Sequence, residues 1–324
     1  MTTKSFYAYD PQVAAAAVAC AVFGANAIYA LLQTVRKRSW VWLVMVFAIA
    51  LDCFGFGVRI KSAADVTNRG LYIAQYLCVI LAPVFMAGII YVVFGRIVIH
   101  VVPARARKFK LLWVPGEFAA LRDLKHTSDT YDPARWATPI FVGCDLIALI
   151  LQGAGAAIVV GTQPTDENAQ DKVNRGKDIA ITGVAVQLAG FGVFSIVAAR
   201  FHVISKQFAS ELESKILQTE GDKTVTLQDS SRRFNPNWKR ILFAVNISCA
   251  LILIRSVYRM TEFAEGKGGY VSTYEWFMYV FDALPIALVV VIYNVFFPGS
   301  YLPHMGLRAP KTRDEAVSLP NRGL

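Results

Sequence analysis

Seven runs of about twenty apolar residues recur along this 324-residue chain, and they leave it few folds to choose from. The runs are 12–35, 40–60, 71–98, 137–161, 179–201, 241–262 and 273–297. As a helix, each rises about 1.5 Å per residue and spans the roughly 30 Å of hydrocarbon in a bilayer. No water reaches the backbone there, so each segment must satisfy its N–H and C=O groups internally, as a helix does. The expectation is an all-α membrane protein, a bundle of seven transmembrane helices. Composition agrees: 55% of residues are hydrophobic and 17% charged, an unusual balance for a soluble domain.

Charge sets the expected orientation. The chain carries a net charge of +10, which in a soluble protein would raise the question of nucleic acid. Here the positive charge sits between spans, so no nucleic-acid partner is expected. One set of loops and the tail hold 23 Lys and Arg residues, the opposite set eight. The positive-inside rule then places the N-terminus (1–11) outside and the C-terminus in the cytoplasm. The membrane domain is expected over 12–298, followed by a disordered cytoplasmic tail over 299–324. The cytoplasmic segment 103–135 begins basic, with Arg105, Arg107, Lys108 and Lys110, as expected of a stretch resting on anionic headgroups. The fifth span is expected to continue as helix to about residue 218, with disorder over 220–235. All five cysteines lie in apolar runs, so no extracellular disulfide is expected.

Ionisable groups inside the spans carry the functional question. Arg255, Arg259 and Glu262 lie on the sixth span, Glu275 and Asp282 on the seventh. Such groups are costly at bilayer depth and must find partners. The first three share one helix face at spacings of four and seven, and the last two share a face at a spacing of seven. A short loop makes the two helices antiparallel neighbours. Matching depths then pair Arg255 with Asp282 and Arg259 with Glu275. On that pairing, Arg255→Glu should be rescued in part by Asp282→Arg. Asp52, Gln75, Asp145, Gln152 and Gln187 add polar groups to spans two to five and are the candidate lining of a substrate cavity. An amphiphilic ligand with an amine or hydroxyl headgroup would suit a pocket holding acids. The bland reading is that the whole network holds helices in register. Pro83 and Pro285 interrupt spans three and seven, and glycines at 153, 155, 183, 190 and 192 allow close helix packing.

Other chemistry is missing. There is no phosphate-binding G-x-x-x-x-G-K-[ST] loop, so any transport is expected to run without ATP bound to this chain. The seventh span has no Lys for a retinal Schiff base, and four scattered His make no metal site. No nucleophile–base pairing is recognisable, so neither an enzyme nor a cofactor is expected.

The ordered motifs resemble those of the fungal lipid-translocating exporter family, also called RTA-like for resistance to aminocholesterol. They run from Asp10-Pro11 through Asp52-x-x-Gly55-Phe56-x-x-Arg59 and Leu81-Ala82-Pro83 to Phe141-Val142-Gly143-x-Asp145 with Gln152-Gly153. Span five adds Gly183 and Gln187. The clearest stretch is Ile254-Arg255-Ser256-x-Tyr258-Arg259-x-x-Glu262-Phe263, followed by Glu275 and Phe281-Asp282-Ala283-x-Pro285. The resemblance implies seven spans and ATP-independent movement of sphingoid long-chain bases or similar toxic amphiphiles at the plasma membrane. The competing expectation is a seven-helix lipid-stress sensor without transport. Membrane lipids and an amphiphilic small molecule are the implied partners.

Overall fold

Apolar length becomes helix wherever the sequence supplies it. The computed structural model describes residues 9, 11–66, 68–101, 133–162, 168–220, 238–265 and 269–301. The helices are α1 (Val13–Arg36), α2 (Leu43–Ala64), α3 (Arg69–Val101), α4 (Pro133–Gly161), α5 (Ala169–Glu220) and α6 (Trp238–Glu265). The seventh, α7, runs over Glu275–Ser300 and contains a π-helical turn at Tyr279–Ala283. All seven are long and apolar enough to cross a membrane, and no strand occurs among the described residues. This is an integral membrane protein. The basic stretch from residue 105, the expected disorder at 220–235 apart from Glu220 at the end of α5, and most of the tail lie outside the described residues.

Sequence neighbours pack side by side, α7 returns to α1, and α3 touches α6 across the bundle. The innermost helices are α2, α3, α6 and α7, each with at least half of its apolar window buried. By contrast α1, α4 and α5 bury 17%, 22% and 28%, so most of their surface faces lipid. Side chains such as Val18, Leu32, Ile150 and Ile196 are accordingly exposed. The α5 helix exceeds the apolar run that announced it. Its 52 residues span about 78 Å, far more than the hydrocarbon, because polar helix continues at both ends. Asn68 starts α3 by accepting from the N–H groups of Gly70 and Leu71 at 3.1 and 3.3 Å.

Two prolines have different outcomes. Pro83 stays inside a continuous α3. Having no N–H, it leaves the carbonyl of Val79, four residues back, without its helical partner. Pro285 follows the π-helical turn, whose extra residue absorbs the broken hydrogen-bond ladder.

The closest helix contact is between α4 and α5. A Cβ at Gly155 would lie 2.5 Å from backbone atoms of Gly176 and Ala180, and one at Gly183 would lie 2.7 Å from the Ala148 carbonyl. The other small residues differ, since a Cβ at Gly153 or Gly192 meets nothing within 4 Å. Gly155→Val should therefore force the two backbones apart and destabilise the protein by about 3 kcal/mol, whereas Gly153→Ala should be silent. Thermal melting of the detergent-extracted protein checks both.

Candidate functional site

The charged side chains form two clusters, stacked along the bundle. The first lies where the N-terminus enters. Arg59, near the end of α2, places Nη2 2.8 Å from Glu275 Oε1 of α7 and donates to the Tyr9 hydroxyl at 2.8 Å. Its Nε donates to the Tyr279 hydroxyl at 3.3 Å, and Tyr279 in turn donates to Glu275 at 3.1 Å. The other Glu275 oxygen accepts from the Gln12 backbone N–H at 2.8 Å. The guanidinium also lies 5.9 and 5.8 Å from the ring centres of Tyr9 and Tyr279. One ion pair thus ties the chain before α1 to α2 and α7.

The second cluster lies deeper. Asp282, 1% exposed, sits between two arginines of α6. Arg255 Nε is 2.6 Å from its Oδ1, but off the line of a hydrogen bond. Arg259 grips the same carboxylate with both Nε, at 3.2 Å, and Nη2, the forked geometry guanidinium favours. Arg259 Nη1 reaches Glu262 at 2.9 Å, and the ring of Tyr76 lies 5.5 Å from its guanidinium carbon. Arg255 Nη2 donates to the Val79 carbonyl at 2.8 Å. That is the acceptor freed by Pro83, so the proline of α3 supplies a docking point for a charge on α6.

These contacts revise one expected pairing. Arg255 does face Asp282. Arg259 does not face Glu275: it shares Asp282, and Glu275 pairs with Arg59. The seven-residue spacing assumed a regular helix between Glu275 and Asp282. The π-helical turn rotates Asp282 away from the face of Glu275 and toward both arginines. Arg59, Tyr9, Tyr279 and Tyr76 were absent from the expected network. Arg59 is the nearest base to Asp52 in sequence, yet its long side chain is committed to Glu275.

The remaining candidates separate into three places. Gln152 of α4 donates its Nε2 to Gln187 Oε1 of α5 at 2.8 Å. This amide pair borders a narrow crevice with Val184 of α5, Ile80 of α3, and Arg255 and Arg259 of α6. The crevice has room for about one water molecule in this conformation. Asp145 lies apart from it. Its Oδ2 accepts from the Tyr91 hydroxyl at 2.7 Å, and Tyr91 is packed among Phe141, Phe191 and Phe194. Asp52 and Gln75 are buried on α2 and α3, at 2% and 3% exposure, and do not border the crevice. The crevice is lined by amides and guanidiniums rather than acids. Its donors suit a headgroup oxygen.

A family model described as RTA1 like protein matches residues 45–121 and 126–305. Protein RTA1 of Saccharomyces cerevisiae is 28% identical over 257 residues, 79% of this chain and 65% of the relative. Sphingoid long-chain base transporter RSB1 of the same yeast is 25% identical over 283 residues, 82% of this chain and 66% of the relative. Protoporphyrin uptake protein 1, also from that yeast, is 28% identical over 245 residues, 76% of this chain and 64% of the relative. The chain thus spans a little under two thirds of the length of these relatives. No solved structure matches. With the family model covering most of its length, and its seven helices carrying the motif residues into two buried clusters, the chain belongs to the RTA1-like protein family.

Proposed function

We propose that the protein moves amphiphilic lipids, sphingoid long-chain bases or similar toxic amphiphiles, across the plasma membrane without ATP bound to this chain. The observation that carries this reading is the crevice. It brings a part-buried amide pair and two buried guanidiniums to one seam between α3, α4, α5 and α6. Polar groups in hydrocarbon are costly, and a purely structural pair of glutamines would not need to border an opening. Hydroxyls of a long-chain base match the amide donors and acceptors, and its alkyl chain matches the surrounding lipid. The resemblance to a transporter of sphingoid bases supports the substrate class. The charge bias of the loops supports an N-terminus outside, which puts the Arg59–Glu275 cluster at the outer surface.

Purified protein in liposomes should speed transbilayer movement of a fluorescent sphingoid base over protein-free vesicles, with no nucleotide present. Replacing both Gln152 and Gln187 with leucine should slow it about five- to thirtyfold, the equivalent of about 1–2 kcal/mol from lost hydrogen bonds. Equal rates with and without protein overturn the proposal. The sensor reading draws its support from α5, whose 52 residues outrun the bilayer and offer a rigid rod to cytoplasmic partners. A ligand-dependent partner captured by a protein that moves no lipid would favour it.

A further inference from the structure

The deeper cluster holds more acid than base. Two guanidiniums, Arg255 and Arg259, face three carboxyls, Asp282, Glu262 and Asp52. Asp282 contacts both arginines, and Glu262 contacts Arg259. Asp52 is left over. It is 2% exposed, and its Oδ2 is buried without a hydrogen bond. Its charge would act on Arg255, Arg259 and Asp282.

Among the described residues, the helices packed on α2 bring no further cation into contact with it. From α1 comes the thiol of Cys20, 3.8 Å from that of Cys53, and from α3 the thiol of Cys78. Arg59 is seven residues along α2 and is held by Glu275, while Lys61 is exposed. Asp145, a third buried aspartate besides Asp52 and Asp282, has the Tyr91 hydroxyl as a donor and stands outside this cluster. An ionised carboxylate with an open oxygen in a bilayer interior is costly, and such groups neutralise instead. One proton on Asp52 leaves the cluster with two positive and two negative charges.

We propose that Asp52 is a proton-binding site whose deprotonation draws Arg255 away from Val79 and Asp282 and so opens the crevice that Arg255 lines. The step is an O–H bond cleavage at the carboxyl, with the proton passing to water and the electron pair staying on Asp52. Arg255 is the arginine free to answer. Arg259 has its three nitrogens committed to Asp282 and Glu262, whereas Arg255 holds Asp282 without hydrogen-bond alignment. A new ion pair with Asp52 would replace one imperfect contact and one carbonyl bond. The crevice half of this inference rests on the lipid-movement reading above. The proton half does not.

Two measurements keep them apart. Infrared spectroscopy of the purified protein in lipid at neutral pH should show the carbonyl stretch of a protonated carboxylic acid. A component of that band should vanish in Asp52→Asn, persist in Asp145→Asn, and shift in Asp52→Glu. Spectra of wild type and Asp52→Asn that coincide overturn the proposal, and the isosteric Asn together with Glu guards against misfolding as the cause. In liposomes, an imposed pH difference should change the rate for a fluorescent sphingoid base in wild type, and in Asp52→Asn the rates with and without the gradient should coincide. A gradient response retained by Asp52→Asn overturns the coupling. Vesicles in which wild type moves no probe overturn the lipid-movement reading instead, and the infrared band still decides the proton.

Discussion

Asp282→Ala should leave little folded protein. The substitution strands two guanidiniums in the bilayer interior, and breaking a single buried pair from one side already costs about 3–5 kcal/mol. Whole domains are stable by only about 5–15 kcal/mol. The expected result is loss of the monodisperse peak on size-exclusion chromatography after extraction. Asp282→Asn should be nearly as damaging, because shape alone does not balance Arg255 and Arg259. The shared carboxylate also changes what a charge exchange can do. Arg255→Glu combined with Asp282→Arg would put a new cation against Arg259, which keeps its own charge. That double variant should therefore not recover, contrary to what pairing by depth predicts. A recovered peak would mean that Arg259 does not depend on Asp282.

The pair near the N-terminus should behave in the opposite way. Arg59→Ala removes the ion pair to Glu275 and the bond to the Tyr9 hydroxyl, at about 3 kcal/mol, the low end for a broken buried pair because each Glu275 oxygen keeps another donor. Here one guanidinium meets one carboxylate, rather than two guanidiniums sharing one. Exchanging the two, Arg59→Glu with Glu275→Arg, should restore part of the lost thermal stability. Recovery stays partial because the Gln12 N–H then faces a cation instead of a carboxylate. A double variant no more stable than Arg59→Ala would refute the pairing as an independent unit.

These two contrasting outcomes trace what the sequence made legible. The spans were readable because crossing hydrocarbon demands length and apolarity at once, and both are visible residue by residue. The contact of Arg255 with Asp282 was readable from depth. The partner of Arg259 was not, because a proline announces a broken ladder without saying how the helix absorbs it. At Pro285 it does so by widening the preceding turn, and one extra residue there re-aims Asp282. At Pro83 the helix stays regular and the freed carbonyl is taken by Arg255. Asp145 looked like part of a polar lining because its helix carries Gln152 seven residues on. The hydroxyl that claims it, Tyr91, comes from α3, and a contact across helices has no period to betray it.

The glycine contact between α4 and α5 limits how this molecule can change shape. With backbone pressed on backbone at Gly155 and Gly183, those two helices are expected to move together, as one arm. The crevice has Gln152, Val184 and Gln187 on that arm, and Ile80, Arg255 and Arg259 on the remaining frame. Widening along this line of weakness then carries the glutamines outward on the arm, while on the frame side Arg255 alone withdraws and Arg259 stays with Asp282. A crosslink joining arm to frame should freeze the molecule, and one within the arm should leave it free.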